Sequence, residues 1–299
     1  MRIVFLGTGD IALPTLRALI ADPHHAVVGV VTQPDKPVGR KQVITPPEIK
    51  TLALSHGIPV EQPERIRKKA ALATIAAWNP EVIVVMAYGQ ILPKALLDMP
   101  SVACLNLHAS LLPRHRGAAP VQAAIRDGDA QSGITVMHIA EGLDTGDMVL
   151  QHAFDLAPDE TGQSLHDRLA ACAPKALSEA LELLESGNAP RTIQDERHMT
   201  HTGKLTRDDG ILDWSKPAGE LERLIRAYHP WPGTLAFFEE NGTKRRLKVF
   251  PPVSVMAPKD PNAQPGTTHL NEDGTWCVMT GTEALRISAI QLECKRRMS

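Results

Sequence analysis

The sequence has no apolar run approaching the ~18–20 residues that a bilayer-crossing helix needs, so no segment is expected to span a membrane. The apolar stretch that begins Met1-Arg2-Ile3-Val4-Phe5-Leu6-Gly7 ends too soon for a signal peptide and reads as a first β-strand. Cysteine is scarce. Cys104, Cys172, Cys277 and Cys294 form no CxxC pair, and their wide gaps suit neither a zinc site nor a disulfide framework. Four free thiols in a reducing compartment are expected, which points to the cytoplasm. Charge of one sign is also lacking: 32 Lys+Arg face 34 Asp+Glu, for a net charge of −2. Residues 1–190 carry a balance of −4 and residues 191–299 one of +2, too small an asymmetry to identify an RNA partner by charge alone. No G-x-S-x-G elbow, internal repeat or low-complexity tract occurs.

What is present suits a water-soluble chain with a sizeable core: 43% of residues are apolar and 22% charged. At ~100–200 residues per domain, the length suggests two domains. In the first half, strands alternate with helices. Arg2–Leu6, Ala26–Thr32, Val82–Met86, Val102–His108 and Ile134–Ile139 read as strands, and residues 11–21, 46–56, 68–78, 118–126 and 163–184 as helices. Such alternation predicts an α/β domain with a Rossmann-like, mostly parallel sheet covered on both faces. The pattern changes near residue 190. A polar stretch, 190–206, lacks a period and reads as a linker. Beyond it lie one helix, 219–228, and short strands at 234–238, 245–250, 275–280 and 285–290, punctuated by Gly, Pro and Asn. These predict a β-rich second domain, 207–299, such as a small barrel.

Gly7-Thr8-Gly9-Asp10-Ile11-Ala12 fits G-x-G-x-x-A between a strand and a helix, the setting of a dinucleotide-binding loop. Two features weaken that reading. Asp10 puts a negative charge where phosphates would sit, and no acid closes the second strand, because Asp35 lies beyond it in a Pro-flanked loop. A tight turn that needs glycine for its backbone is the plainer account.

Asn106-Leu107-His108 ends a predicted strand, so amide and imidazole share one face at the carboxyl edge, where ligands bind in open α/β sheets. The segment after it, residues 109–117, is dense in small, turn-forming and basic residues and reads as a binding loop. A second loop, Glu141-Gly142-Leu143-Asp144-Thr145-Gly146-Asp147, has glycines that permit a reversal returning Asp144 to His108. Amide, imidazole and carboxylate together suit acyl transfer: an oxyanion donor, a proton carrier, and a group that favours the imidazolium. Each also has a plain structural use, in a turn, a hydrogen-bonded core histidine and an Asx-turn. With no protein nucleophile motif, the attacking group would belong to the substrate.

At these residues the sequence resembles a known family. Asn106-Leu107-His108, Ser110-Leu111-Leu112-Pro113 with Arg116-Gly117, and Asp144 within Gly142-Leu143-Asp144-Thr145-Gly146 resemble the 10-formyltetrahydrofolate-dependent formyltransferases. Further stretches resemble the branch of that family acting on methionyl-tRNA: Ala118-Ala119-Pro120-Val121-Gln122, Lys204-Leu205-Thr206-Arg207-Asp208-Asp209-Gly210, Asp213-Trp214-Ser215 and His229-Pro230-Trp231-Pro232-Gly233-Thr234. The resemblance covers nearly the whole chain. Sugar-nucleotide formyltransferases share the last two stretches, so those alone do not decide between the branches.

The resemblance implies a catalytic domain over 1–189 and a C-terminal OB-like barrel that grips tRNA. It implies formyl transfer from 10-formyltetrahydrofolate to the α-amino group of initiator methionyl-tRNA, for translation initiation, with Asn106, His108 and Asp144 catalytic. The folate co-substrate is expected along Met86, Ala87, Tyr88, Gly89, Gln90, Ile91 and Leu92 and along Ser110, Leu111, Leu112 and Pro113. No metal is expected. Arg40 and Lys41 correspond to a loop that contacts the tRNA acceptor end. Lys204, Lys244, Arg245, Arg246 and Lys248 are expected on the RNA side, although a solvated edge strand uses lysine in the same way. A monomer is expected. The chain departs from the family at four places: His115 replaces the usual Trp, the Arg40 loop lacks a second glycine, Cys294 takes a glycine position, and the family pattern continues past Ser299. A shortened or unstructured C-terminus is expected there. Rival readings are a sugar-nucleotide formyltransferase, a nicotinamide-dependent oxidoreductase built on Gly7–Ala12, and a non-catalytic RNA- or folate-binding protein.

Overall fold

Runs of β-branched and aliphatic residues bury completely at the centre of the first sheet. Ile3, Val4, Phe5 and Leu6 are 0% exposed, and all five residues of Val82–Met86 are buried. Strands covered on both faces lose the in–out alternation, which explains why they read as continuous apolar runs. The computed structural model describes residues 1–299 apart from Arg40, Asn241, Cys294 and Ser299. The chain forms two compact units: Met1–Arg116 with Ser132–Phe154 and His166–His201, and Gly117–Gln131 with Asp155–Leu165 and Thr202–Ser299.

The first sheet has seven strands: β1 (Arg2–Gly7), β2 (Ala26–Val31), β3 (Val60–Glu61), β4 (Val82–Met86), β5 (Ala103–His108), β6 (Gln131–His138) and β7 (Met148–Asp155). Their order is β7-β6-β5-β4-β1-β2-β3. β3, β2, β1, β4 and β5 run parallel, and β6 joins β5 antiparallel. The order reverses between β1 and β4, so the crevice at their carboxyl ends is the ligand position general to such sheets. Helices α1 (Leu13–Ala21), α2 (Glu48–Ser55) and α3 (Lys69–Ala77) connect the parallel strands. A long helix, α5 (Gly162–Glu185), follows β7, after the shorter α4 (Pro120–Arg126). The mostly parallel sheet expected from the sequence is therefore present. β3, β7 and a hairpin of Lys36–Val38 with Val43–Thr45 were not expected. β3 is only two residues long, and the hairpin strands are exposed throughout, so neither leaves a burial pattern to read.

The second sheet contains β8 (Thr234–Glu240), β9 (Thr243–Met256), β10 (Thr268–Leu270), β11 (Trp276–Met279) and β12 (Ala284–Leu292), in the order β8-β9-β12-β11-β10. Every neighbouring pair is antiparallel. A register shift between Phe250 and Val253 bends β9, and such bulges increase local twist and curl. The sheet is a curled half-barrel, as the OB-like expectation required. Its concave core takes Val249, Leu285 and Ile287 together with Leu221 and Ile225 of α6 (Ala218–Ala227). Leu221 and Ile225 stand one helical turn apart on one face. Burying side chains of this size stabilises by about 1.5–3 kcal/mol each. Within the same unit α4 packs on α6, where Arg223 Nε donates to the Arg126 carbonyl. Of the stretch 190–206, residues up to His201 belong to the first unit, and both Gln194 and Thr202 are buried.

Candidate active site

β5 ends at the crevice and carries two of the expected residues on one face. Asn106 sits between Val85 of β4 and Met137 of β6 and is half-buried. Among the described residues its side chain makes no hydrogen bond, so its amide is uncommitted. His108 is 6% exposed. Its Nε2 lies 2.9 Å from the His115 carbonyl, an arrangement in which Nε2–H donates. Its Nδ1 lies 3.7 Å from Asp144 Oδ2, within ion-pair reach but beyond a direct hydrogen bond. The trio expected from the sequence is thus brought together at a strand end. Burial pushes the imidazole below its ordinary range. The Asp144 carboxylate and the His115 carbonyl act upward against it, and the His115 ring acts downward. The sequence expectation that Asp144 keeps this imidazole charged therefore meets a larger opposing effect, desolvation.

Asp144 reaches His108 because the loop after β6 doubles back. Asp144 itself is left-handed, at φ 53. Gly146 is required by close approach, since a Cβ there would collide with the His138 carbonyl. Gln194 clamps the reversal: its Nε2 donates to the carbonyls of Asp144 and Gly146, both at 2.8 Å. Its Oε1 accepts from Arg116 Nε at 3.0 Å and Nη2 at 2.8 Å. Arg116 and Gln194 are 2% and 4% exposed. Gln194 was missed from the sequence, because it lies in a polar, aperiodic stretch with no local feature to single it out.

The loop 109–117 is held by a side-chain hydrogen bond of its own and by side chains of β6 and β7. Ser110 Oγ donates to the Arg114 carbonyl at 2.7 Å, and Thr135 Oγ1 donates to the Ser110 carbonyl at 2.6 Å. Gln151 Nε2 donates to the Leu112 carbonyl at 2.9 Å. Ser110 and Leu112 are buried, whereas Leu111 and Pro113 are half-buried. His115 is buried and left-handed at φ 61, and its N–H donates to Thr200 Oγ1 at 2.8 Å.

The segment after β4 divides by residue. Met86 and Tyr88 are buried; Ala87, Gly89 and Ile91 are exposed, Ile91 at 91%. Gln90 braces the segment, accepting from Ile66 N–H at 2.8 Å and donating to the Pro63 carbonyl at 3.0 Å. Leu92 packs on the core. Among the described residues the buried Tyr88 hydroxyl has no hydrogen-bond partner, and desolvation pushes it up to about 12.

The glycine loop beside it has a different cause from the one expected. Gly9 has an ordinary φ of −69, and a Cβ on Gly7 would fall 2.6 Å from the Phe5 ring and 3.1 Å from the Met86 carbonyl. The Phe5 ring of its own strand, with the Met86 carbonyl of β4, and not a left-handed turn, excludes a side chain there. Asp10 Oδ1 lies 3.1 Å from His166 Nε2. Asp35, the nearest acid to a ribose position, is taken by Lys50 at 2.9 Å and Gln62 at 2.7 Å, and those hydrogen bonds hold its carboxyl below the usual range. The loop thus lacks the free acid that a nicotinamide dinucleotide site uses.

Of the basic residues expected on the RNA side, Arg40 lies outside the described residues. Lys41 is exposed in the first unit, and Lys204 in the second. On β9 the alternation puts Lys244, Arg246 and Lys248 on one face, with Arg245 on the face of Leu247 and Val249. Lys244 Nζ stacks 4.4 Å from the Phe237 ring, Arg246 pairs with Glu293 at 3.0 Å, and Lys248 borders a small cavity with His229 and Phe250. Cys294 lies outside the described residues.

Comparison with known proteins bears on the whole chain. Residues 1–181 match the formyl transferase family, and residues 204–299 match the formyl transferase C-terminal domain. A methionyl-tRNA formyltransferase of Akkermansia muciniphila is 46% identical over 300 aligned residues, covering 100% of this chain and 94% of that one. Among solved structures, an N-formyltransferase from Helicobacter canadensis in complex with folinic acid and dTDP-3-aminofucose superposes with a TM-score of 0.67 at 15% identity, over 97% of this chain and 99% of that one. HypX from Aquifex aeolicus in complex with tetrahydrofolic acid gives 0.61 at 18% identity, over 99% of this chain, which spans only 45% of HypX. At such low identities these two likenesses establish the fold. The family matches and the close relative together establish more: this chain belongs to the formyl transferase family, in both its N-terminal and its C-terminal parts.

Proposed function

We propose that the chain transfers the formyl group of 10-formyltetrahydrofolate to the α-amino group of initiator methionyl-tRNA. The observation that carries this reading is the uncommitted Asn106 amide on the same strand face as His108, with Asp144 3.7 Å from the imidazole. The relative of that activity, 46% identical over the whole chain, supports the choice of acceptor.

The chemistry follows from which atoms are already engaged. Nε2 of His108 is tied to the His115 carbonyl, so Nδ1, on the Asp144 side, is the nitrogen left for proton transfer. Burial favours the neutral ring, which makes Nδ1 a proton acceptor. The substrate amine attacks the formyl carbon, and its new N–C bond forms as the oxyanion develops beside the Asn106 amide. His108 takes the amine proton and becomes an imidazolium facing the Asp144 carboxylate. That proton then passes to N10 of the donor as the C–N10 bond breaks. Losing one oxyanion donor costs about 10²–10³ in rate.

In this reading Ala87, Gly89 and Ile91 present the folate-facing surface, with Ser110–Pro113 as its second wall. Met86, Tyr88, Gln90 and Leu92 support that surface from beneath. Arg40, Lys41, Lys204, Lys244, Arg245, Arg246 and Lys248 contact tRNA, and the working division is a catalytic part, 1–189, joined through 190–206 to an RNA-binding part, 207–299. Translation initiation assigns the reaction to the cytoplasm, and a monomer without a metal suffices for it.

The test is direct. The protein is incubated with 10-formyltetrahydrofolate and either initiator methionyl-tRNA or an amino-sugar nucleotide, and the formylated product is measured. Formyl-methionyl-tRNA is expected; transfer to the sugar nucleotide alone would overturn the proposal. A thermal shift with NADH should show no protection.

A further inference from the structure

We propose that Gln194, buttressed by Arg116, is a positioning residue that sets the spacing of His108 and Asp144. The inference rests on the site reading above but concerns geometry in the free protein. Two buried polar side chains, Gln194 and Arg116, lie beside the Asp144 loop, and leaving such groups unsatisfied costs several kcal/mol in a dry interior. Here the hydrogen bonds of Gln194 to backbone carbonyls, and the backbone next to Arg116, lead back to the pair. Gln194 Nε2 holds the Asp144 and Gly146 carbonyls at 2.8 Å, pinning the loop at the residue whose backbone is left-handed. Gln194 Oε1 is gripped by two guanidinium nitrogens of Arg116, which in turn pairs with Glu196 Oε1 at 2.7 Å. Arg116 directly follows His115, whose carbonyl takes the His108 Nε2–H. His115–Arg116 therefore orients the imidazole through its backbone and the carboxylate loop through its side chain.

The chemistry of the amide explains the choice of glutamine. It donates twice to carbonyls at one end and accepts from a guanidinium at the other. Glutamate would set a carboxylate against two carbonyl oxygens, and an apolar side chain would leave all three partners unmet. The polarity of the circuit is thus readable from its partners. A side chain serving only to fill space would need no such match.

The deciding experiment uses Gln194→Met, similar in volume but unable to bond, beside Asp144→Asn as a reference. Kinetics are read as kcat and KM for the folate donor, and the His108 ring is titrated by NMR in the protein without substrates. The titratable neighbours acting on that ring are Asp144 and His115. Gln194→Met is expected to lower kcat roughly 10–100-fold with KM little changed, the signature of misplaced reacting groups. It should also lower the His108 titration midpoint, in the same direction as Asp144→Asn, because the carboxylate that raises it has moved. The double variant should show no further lowering. A wild-type midpoint in Gln194→Met, or a kcat within twofold of wild type, overturns the proposal. If Gln194→Met does not fold, Arg116→Lys keeps the charge but loses the fork; an unchanged midpoint there overturns it equally. The titration needs no substrate, so a failure of the proposed acceptor shows as inactive wild-type protein and leaves this result readable.

Discussion

The strand end of β5 and the basic face of β9 use polar residues in opposite ways. Around His108 the buried polar groups have fixed partners, the His115 carbonyl for Nε2, Gln194 for the Asp144 loop and Arg116 for Gln194, and the half-buried Asn106 amide alone is left uncommitted among the described residues of the trio and its supports. On β9, Lys244, Arg246 and Lys248 are exposed, and their partners are a ring face and a surface carboxylate. Low dielectric and excluded water make each fixed dipole at the first site matter for charge developing in a transition state. At the second site each charge is screened and exchangeable, so the surface adds up as a field. The comparison teaches that position dominates at one site and number at the other.

The comparison can be broken most forcefully at the trio. Asn106→Ala, His108→Ala and Asp144→Ala are each expected to lower kcat by about 10²–10³ or more while leaving folate affinity within a few-fold. Single-turnover rates and folate binding by fluorescence check this, and a near wild-type rate in any of the three removes that residue from its role. The fixed-position claim is sharpened by Gln194→Met, with its smaller loss in kcat. Next in size comes the basic face. Lys244→Ala with Lys248→Ala should raise KM for tRNA roughly three- to tenfold at unchanged kcat, the size of one or two screened contacts. The salt dependence of tRNA binding should flatten by about 1 per lost phosphate contact. A fall in kcat instead would mean that this face is not the simple electrostatic surface described.

The smallest effect is on stability. Burial lowers the titration of His108, His138 and His229, with Arg191 adding to the effect at His138 and Arg297 at His229. A histidine with a depressed folded-state pKa binds its proton more readily when unfolded, so stability rises with pH and is lost as pH falls below the unfolded value, ~6.5. Thermal unfolding midpoints should therefore decline from pH 7 to pH 5. His108→Gln should remove part of that slope, and an unchanged slope would show that this ring is not the one being protonated.

Much of the fold was legible because burial on both faces writes itself as apolar runs and helical spacing. β1, β2, β4, β5 and the helices between them follow directly. β7 escaped because only Val149 of its residues is buried and its half-buried positions include the polar His152, and β3 because two residues carry no period. The site was half legible. Asn106 and His108 share a face by strand geometry alone, whereas Asp144 needed the loop to close. Gln194 carried no signal at all, because its role depends on carbonyls of Asp144 and Gly146, 50 and 48 positions earlier.

By itself, then, the sequence determined the elements, the same-face amide and imidazole, the lack of a protein nucleophile motif and the family resemblance. These are local or statistical properties, written in spacing and residue type. Only the tertiary structure decided the 3.7 Å approach of Asp144, the engagement of Nε2 by the His115 carbonyl and the downward push on the imidazole. The reason is physical: burial and through-space distance are set by which distant segments pack together, and a charge or a hydrogen bond acts across space without regard to the order of residues along the chain.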